Sequence, residues 1–521
     1  MHSGRANWLV ALGERLQSQT SLLVDEQVSP SQRRVRLVLF VAWLALVAWF
    51  LSTHTFWRDE VRAFSIALSG SNLAEMLHTL HGEGHPALWY LILRGAHDLF
   101  PVRQVLPAAG AAIGILTMAV MTRFSPFRSA VVALILFSFW GAFEYIVVAR
   151  NYCIAALVMF VIAALYRRVR GTLWFGVLLV VLCNTNVPAC LLAAMFLLFR
   201  LIEMATEEGT NEKRDWLIFA GNTALSLIGA LLCFVTVYPT YNDAAVSTSL
   251  SDLTVSKVIG GLFDRSGFSN LGFPPLLLLC CCMGLIRRPA AFIAAIASLI
   301  GLKLFFFLVY PSDYRHEILY LVFLLSLYWI AAEGAGGRWG ERPWMGFVER
   351  MGSLFLVALL GAQTWYLRVP IEHQLIGKPF SRSADAGKLL RHLPLSNAIV
   401  MADPDPMLEA LPYYTNNPLY FLRQQRFGNV VRLSNDARRV LTLDDILADA
   451  DRLHRQTGRP IIFLSHIALR RDINVREKVM YDYYTVVTPA SAERFLASTR
   501  LIARLRPSGM DENYDVYLYP R

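Results

Sequence analysis

An acidic pair, Asp59 and Glu60, follows the first strongly apolar segment of this 521-residue chain. A carboxylate just beyond a membrane helix can serve as a general base for a hydroxyl nucleophile if its position and pKa suit that task. The pair is also compatible with a solvated helix end, in which Glu60 and Arg62 simply face water. We therefore treat both acids as candidate catalytic groups and ask which other residues accompany them.

A second cluster consists of His81, Glu83 and His85, in a loop with two glycines that ends at Pro86. Two histidines and a carboxylate can bind zinc or another divalent ion, although this spacing differs from the helical HExxH pattern. The alternative is a flexible loop that caps the helix begun by Pro86. We predict that these three residues contact substrate, and a divalent metal ion bound by them is an open alternative.

Two arginines form a third group, because Arg150 and Arg315 each open a later apolar run. Guanidinium groups are planar charged donors that suit phosphate, whereas the alternative is an arginine that anchors its helix in the lipid headgroup region. Lys303 lies inside an apolar run, where it either points into the same site or pairs with a carboxylate. The ring-bearing neighbours of the arginines are further candidate substrate contacts: Tyr152, Tyr314 and His316.

Membrane helices must position these groups, because 55% of the residues are hydrophobic, only 17% are charged and the mean hydropathy is +0.43. Charged residues make up about 14% of positions 1–369 but about 25% of positions 370–521, the soluble norm. These values argue against a wholly soluble enzyme and exclude a disordered chain, collagen-like repeats and a small disulfide scaffold. All seven cysteines lie in apolar stretches and form no CxxC site.

The apolar segments predict eleven membrane crossings of roughly 20 residues or somewhat fewer. They lie near 37–51, 104–121, 129–146, 152–166, 172–186, 187–203, 216–238, 273–287, 290–310, 317–333 and 351–367. Segment 86–100 contains Arg94, His97 and Asp98, and we interpret it as a helix that does not cross. Every strongly basic short loop is then cytoplasmic, and the same loops explain the net charge of +10 without a nucleic-acid partner.

This topology predicts a polytopic α-helical membrane protein of about 11 to 12 spans with a soluble C-terminal α/β domain. We divide it into a cytoplasmic tail (1–34), a membrane module (35–369) with outer loops 53–103 and 239–272, and an outer domain (370–521). The predicted location is the inner (plasma) membrane, with the N-terminus in the cytoplasm and the C-terminal domain periplasmic or extracellular. The three groups of candidate residues then share the outer face.

The C-terminal domain shows apolar segments typical of strands at 398–401, 418–422, 460–464 and 514–519, and helical patterns at 443–456 and 489–498. Such an alternation is typical of a layered α/β domain. Asp403-Pro404-Asp405-Pro406 follows the first strand, where α/β sheets often bind ligands. Two Asp-Pro steps are more often a turn, and we favour the turn.

Four motifs together resemble the GT-C superfamily of glycosyltransferases, in particular the protein mannosyltransferase and aminoarabinose transferase branch. They are Trp57-Arg58-Asp59-Glu60, Gly84-His85-Pro86-Ala87-Leu88-Trp89-Tyr90, Ala149-Arg150-Asn151-Tyr152 and Asp313-Tyr314-Arg315-His316. The resemblance covers about residues 35–335. It implies transfer of a sugar from a polyprenyl-phosphate carrier to an acceptor on the outer face, with the lipid-linked sugar as co-substrate and the bilayer as partner.

The resemblance also assigns roles to particular residues. Asp59 matches the family's catalytic base and Glu60 adjoins it, whereas Arg150 and Arg315 match arginines near the lipid phosphate. His85 occupies the loop position before proline, where the aminoarabinose branch has lysine. We expect Asp59 to activate the acceptor hydroxyl and the reaction to invert the anomeric carbon. The acceptor is a glycan, a lipid or a protein of the cell envelope.

Two other classes of function are compatible with the same residues. A transporter or flippase of a lipid-linked precursor would place polar groups deep in several spans and show internal repeats. A non-catalytic envelope-assembly protein would need neither Asp59 nor Arg315. We favour the enzyme because the ionisable groups concentrate at one face and no convincing repeat is seen.

Overall fold

The computed structural model of the protein describes residues 22–25, 29–206, 213–238, 256, 260–261, 275–336, 339, 342–480 and 482–521. The predicted cytoplasmic tail 1–34 therefore lies outside the described residues over 1–21 and 26–28. The predicted outer loop 239–272 lies outside them except at 256, 260 and 261.

The first two thirds of the chain are helical, as the apolar segments predict. The helices in chain order are α1 (Pro30–Thr53), α2 (Arg58–Ala67), α3 (Leu73–Thr79), α4 (Leu88–Leu99), α5 (Val105–Phe124), α6 (Ser129–Leu136), α7 (Tyr152–Val169), α8 (Trp174–Cys183), α9 (Val187–Thr206), α10 (Lys213–Val237), α11 (Pro275–Cys282), α12 (Pro289–Leu308), α13 (Tyr314–Ala332), α14 (Pro343–Tyr366), α15 (Arg368–Leu375), α16 (Ser383–Leu390), α17 (Leu443–Thr457) and α18 (Pro489–Ser498).

Within the described residues, eight helical segments are long and apolar enough to cross a membrane: α1, α5, α7, α9, α10, α12, α13 and the segment Trp344–Leu375. The chain is thus a multi-pass membrane protein. The other three predicted crossings coincide with shorter apolar elements, namely α6 with the π-helical turn Trp140–Glu144, α8, and α11 with the turn that follows it. The number of crossings remains a prediction.

Helix α13 forms the centre of the helical body. In the most apolar stretch of α13, 94% of the residues are buried, compared with 22% in the corresponding stretches of α1 and α10. A helix that is apolar on all sides needs partners on all sides, and α13 packs against α7, α9 and α12. Because Arg315 and His316 begin this central helix, their positions are set by the best-packed element of the fold.

One face of the helical body, which we call the site face, collects the ends of many spans. The starts of α7, α9 and α13 and the ends of α10 and α12 all line one cavity there. The opposite face carries basic residues near helix ends, including Arg36, which donates to the carbonyl of Ser125 at 2.9 Å, and Arg170, which pairs with Glu203.

Helix α4 begins on the site face, where Trp89 and Tyr90 line the cavity. Its twelve residues measure about 18 Å, less than a hydrocarbon core of about 30 Å, and that it does not cross remains a prediction. Just before it, Glu83 pairs with Arg62, which also pairs with Glu409 of the C-terminal region, and just after it Arg103 donates to the carbonyl of Tyr413 at 2.6 Å. Both of its ends thus lie beside the C-terminal region.

The C-terminal region contains a six-stranded mixed sheet and a three-stranded sheet. The strands are β1 (Ile399–Asp403), β2 (Leu419–Phe421), β3 (Arg426–Phe427), β4 (Val440–Thr442), β5 (Ile461–Ser465), β6 (Val475–Met480), β7 (Tyr483–Val487), β8 (Arg500–Leu505) and β9 (Tyr514–Tyr519). The larger sheet has the order β3-β2-β1-β5-β9-β8, and the smaller has the order β4-β7-β6. The predicted α/β character is confirmed.

The central strands of the larger sheet are buried on both faces, which explains their continuous apolar runs. Strand β1 pairs in parallel with β2 and β5, whereas β9 and β8 continue the sheet in antiparallel fashion. The Asp-Pro segment after β1 leads into a 3₁₀ turn, Asp405–Leu408, in agreement with the turn favoured from the sequence. There Asp403 pairs with Arg423 at 2.7 Å, and Asp405 accepts the backbone N–H of Leu422 at 2.8 Å.

Candidate active site

Glu60 lies inside the protein and holds the start of α2. Its side chain is fully buried, and its oxygens accept the backbone N–H groups of Trp57 at 3.0 Å and Ala149 at 2.8 Å. The Nε2 atom of His54 lies 3.0 Å from the same carboxylate. The alternative in which Glu60 faces water is therefore wrong. The structure uses Glu60 as an internal acceptor that joins α2 to the segment before α7.

Asp59 points the other way and lies between two arginines. Its Oδ2 atom pairs with Nη1 of Arg150 and lies 3.7 Å from Nη1 of Arg315. Burial alone would raise the pKa of Asp59, but the charges of Arg150, Arg315 and Arg58 outweigh this effect and hold the pKa below its ordinary value. With about a third of its side chain exposed, Asp59 is an ionised carboxylate within reach of a ligand.

Trp57 contacts two of the guanidinium groups near this carboxylate. The Arg58 and Arg315 groups each lie 4.9 Å from the centre of its indole ring, a favourable arrangement for cations. Arg58 also forms a bidentate pair with Asp511, with N–O distances of 2.8 and 2.7 Å. Asp511 belongs to the C-terminal region, so that region takes part in fixing the start of α2.

Arg315 is held by acidic residues on both sides. Besides Asp59, it contacts Asp313 at 2.5 Å and lies 3.9 Å from Glu144 in the π-helical turn. Only 7% of Arg315 is exposed, so its orientation is well determined by these contacts. Arg150 and Arg315 thus converge on one carboxylate from two different spans.

A chain of hydrogen bonds connects His85, Tyr152 and His316. The backbone N–H of Asp313 donates to Nδ1 of His316, so its Nε2–H faces the Tyr152 hydroxyl at 2.8 Å. The Tyr152 hydroxyl in turn lies 3.4 Å from Nε2 of His85, whose Nδ1 lies 3.1 Å from the Glu83 carbonyl oxygen. Burial, and then the charge of Arg150, lower the pKa of His85 to about 3, so this imidazole is neutral.

These groups line a cavity of about 300 Å³ on the site face, which we call the central cavity. Its lining includes six of the residues proposed from sequence: Asp59, Glu83, His85, Arg150, Tyr152 and His316. Arg315 adjoins the cavity through its contact with Asp59. Residues of the C-terminal region, among them Pro406 and Glu409, close the cavity on the side away from the spans.

The remaining sequence-predicted residues are not brought to this cavity. The Tyr314 hydroxyl donates to Gln363 of α14, and the Nδ1 atom of His81 lies 3.1 Å from the carbonyl oxygen of Tyr238. Lys303 is half-buried in α12 and is not part of the cavity lining.

The predicted alternative of a metal ion at His81, Glu83 and His85 does not fit the structure. Glu83 is engaged by Arg62, through Nε at 2.9 Å and a second guanidinium nitrogen. Across the described part of the chain, no group of three histidine, cysteine, aspartate or glutamate side chains is arranged to hold a metal ion.

Arg62 and Glu409 are site residues that the sequence reasoning missed. Arg62 pairs with Glu83 from the loop and with Glu409 from the C-terminal region, and it donates to the carbonyl of Val431 at 3.0 Å. Burial, partly offset by Arg62, raises the pKa of Glu409 to about 7. A signal for Arg62 was present, since it lies one turn beyond Arg58 on the same helix, but nothing in the sequence indicated its distant partner.

The fold and this site define a class of protein: a multi-pass helical membrane protein with an arginine-flanked carboxylate in a cavity under a C-terminal α/β region. Comparisons with protein-family models and with curated protein sequences find no match. Two solved structures are similar. The crystal structure of ArnT from Cupriavidus metallidurans bound to undecaprenyl phosphate has 15% sequence identity and a TM-score of 0.47. The apo structure of the same protein has 16% identity and a TM-score of 0.46.

Both similarities cover 92% of this chain and 97% of the ArnT chain. ArnT is an aminoarabinose transferase of the GT-C superfamily, the group of enzymes that the four sequence motifs resemble.

Proposed function

We propose that the protein is a membrane glycosyltransferase that moves a hexosyl or pentosyl group from a polyprenyl-phosphate carrier to a cell-envelope acceptor on the outer face. The observation that carries this proposal is the position of Asp59 between Arg150 and Arg315, beside a cavity at the ends of several spans. A lipid phosphate at the headgroup level and an acceptor hydroxyl from the aqueous side can meet there. The location that follows is the inner (plasma) membrane.

The two arginines suit the phosphate of the carrier. The leaving group of a polyprenyl-phosphate sugar is already ionised, so the reaction needs positive charge near the phosphate rather than a general acid. Arg150 and Arg315 supply this charge, and their contacts with Asp59 and Asp313 hold them in place. Guanidinium groups also offer paired donors that match phosphate oxygens.

Asp59 is the proposed general base, and the bonds in the step balance as follows. The acceptor oxygen forms a bond to C1 of the sugar while the bond from C1 to the phosphate oxygen breaks, its electron pair leaving with the phosphate. The proton of the acceptor hydroxyl passes to Asp59. Attack from the face opposite the phosphate inverts the anomeric carbon.

Because the pKa of Asp59 is lowered, its strength as a base depends on whether the donor is bound. While two arginines hold the carboxylate, it is a weak base. A carrier phosphate that binds the same guanidinium groups competes for them, raises the pKa of Asp59 and so strengthens the base. Asp59 would then accept a proton chiefly when the donor is in place.

The neutral His85 orients the site in this proposal. Its Nε2 atom lies 3.4 Å from Nη2 of Arg150, so its lone pair accepts from the guanidinium without competing for a proton at neutral pH. Tyr152 and His316 support the imidazole from the far side. We assign these three residues to substrate positioning, and Glu60 to the support of α2.

The proposed division of the chain follows the site. Residues 35–369 form the membrane module, residues 1–34 lie in the cytoplasm, and residues 370–521 form the outer domain that closes the cavity. The basic residues near helix ends on the face opposite the site support this orientation by the positive-inside rule.

Mass spectrometry of envelope glycans, lipids and proteins from a deletion strain tests the proposal. We expect one sugar to disappear and to return with the wild-type gene, but not with Asp59→Ala or Asp59→Asn at equal protein levels. Full restoration by both variants would refute the catalytic role of Asp59. Accumulation of an unmodified precursor on the cytoplasmic side would instead indicate a transporter or flippase.

A further inference from the structure

A second and larger recess opens beside the central cavity. It measures about 780 Å³ and lies between helices α2 and α3 and the segment 426–434 of the C-terminal region. We call it the outer cleft. Neither the motifs described above nor the proposed chemistry at Asp59 gives it a role.

The outer cleft and the central cavity share a wall. Arg62, Gly82, Glu83 and Leu433 line both spaces. Arg62 lies three residues after Asp59 on α2, about 4.5 Å further along the helix axis. The wall is therefore made mainly of the Arg62 ion pairs, and a group at the inner end of the cleft lies about one helical turn from the proposed base.

The lining of the outer cleft is divided about equally between polar and apolar surface. Hydroxyl and amide side chains from both sides, such as Ser65 and Asn429, accompany the aromatic rings of Phe64 and Tyr413. Polar donors and acceptors next to ring faces suit a sugar, which offers hydroxyl groups at its edge and C–H groups on its faces. An acyl chain needs a continuous apolar lining, and this cleft does not provide one.

The charge of the outer cleft is positive on the side formed by the C-terminal region. Arg426 and the exposed Arg432 lie in segment 426–434, and Arg103 lies across from them. Part of the donor capacity of Arg103 and Arg426 goes to neighbouring backbone carbonyls, but their charges remain. Acidic substituents on a glycan would be attracted to this side.

We propose that the outer cleft binds the acceptor, a hydroxyl-rich glycan with acidic substituents, and that its reacting hydroxyl passes Arg62 to reach Asp59. This inference rests on the proposed transferase function and adds the acceptor class and its route. The donor and the acceptor then approach the base from different sides, the lipid phosphate at Arg150 and Arg315 and the glycan past Arg62.

Two substitutions on the cleft wall test this inference in the deletion strain. Asn429→Trp fills the cleft and Arg432→Glu reverses its charge, and both positions are exposed, which favours normal folding. The matched controls are Asn397→Trp and Arg471→Glu, which are exposed and line neither space. The readouts are the sugar lost in the deletion strain, and the thermal stabilisation of each purified protein by undecaprenyl phosphate.

We expect both cleft variants to lower the product about tenfold, the scale of one lost charged or packed contact, with unchanged stabilisation by undecaprenyl phosphate. Both controls should behave as wild type. If the modified product is found in the lipid fraction, the acceptor is a glycolipid headgroup. If it is found in the water-soluble fraction, the acceptor is a free glycan. Either result supports the inference.

The inference is overturned if both cleft variants make normal amounts of product, or if they lose stabilisation by undecaprenyl phosphate, which would assign the cleft to the donor. It is also overturned if the modified acceptor is a protein without glycan. These failures differ from failure of the proposed function, which would appear as retained product in Asp59→Asn or as no change in the deletion strain.

Discussion

Asp59→Asn should strengthen binding of the carrier phosphate while it abolishes transfer. In the structure Asp59 occupies the guanidinium groups that the phosphate would use, with Oδ2 of Asp59 paired to Arg150 and 3.7 Å from Nη1 of Arg315. Asparagine has nearly the same shape but no charge. The substitution therefore removes both the proposed base and an anion that competes with the phosphate.

The size of the binding effect follows from the geometry. Two anions that share the same guanidinium groups lie about 4 Å apart, and their repulsion at an effective dielectric constant of about 20 is about 4 kcal/mol. Because about a third of the Asp59 side chain is exposed, solvent screening reduces this value to about 2 kcal/mol. That energy corresponds to about 30-fold tighter binding. Loss of a general base lowers transfer by about 10²- to 10⁴-fold.

The assay compares the affinity of the purified wild type and variant for undecaprenyl phosphate with their transfer activity in the deletion strain. Asp313→Asn is a matched control, because Asp313 also pairs with Arg315 but is half-exposed and lies outside the cavity lining. Asparagine keeps its cap on α13. We expect the control to change carrier affinity by less than about threefold and to retain transfer. Weaker carrier binding by Asp59→Asn, or transfer close to wild type, would refute the reasoning.

Three further predictions concern the supports of the site. Arg315→Lys keeps the charge but loses the planar donor pair, so carrier affinity should fall about tenfold, and equal affinity for undecaprenyl phosphate would contradict this. Glu60→Ala leaves the buried N–H groups of Trp57 and Ala149 without their acceptor, and thermal unfolding should show a loss of about 3 kcal/mol; an unchanged unfolding temperature would exclude this role. Burial raises the pKa of Glu512 to about 8 despite the charge of Arg58, so the folded protein holds this proton more tightly than the unfolded chain. As pH rises from about 4.5 to 8 the wild type should lose stability relative to Glu512→Gln, and parallel pH–stability curves would argue against it.

The sequence predicts which residues belong to the site better than it predicts what each of them does. Asp59, Arg150 and Arg315 each lie at the end of an apolar span, and the distribution of basic loops placed these ends on one face. The sequence could not show which of Asp59 and Glu60 faces the site. Neighbouring residues on a helix point about 100° apart, and the sequence pattern did not give the rotation of α2. The structure resolves it, since Glu60 is fully buried and Asp59 lines the cavity.

Contacts between distant parts of the chain account for most of what the sequence did not predict. Arg62 and Glu409 are 347 residues apart, and no local pattern links them. In the C-terminal region β1, β2, β5 and β9 were predicted from their apolar runs, whereas β3, β4, β6, β7 and β8 were missed. Three of the six residues of β6, Val-Arg-Glu-Lys-Val-Met, are charged and exposed, as expected for the edge strand of a small sheet.

Helix α2 explains why the C-terminal region belongs to the site. Arg58 and Arg62 are four residues apart and thus share a face of the helix, and they pair with Asp511 and Glu409 of that region. Asp59, one position on from Arg58, is turned toward the arginines of the spans. The ion pairs of Arg58 and Arg62 therefore fix the rotation of α2 that presents Asp59 to the central cavity. A rotation of one residue position would exchange Asp59 for Glu60, so these ion pairs determine which carboxylate meets the substrate.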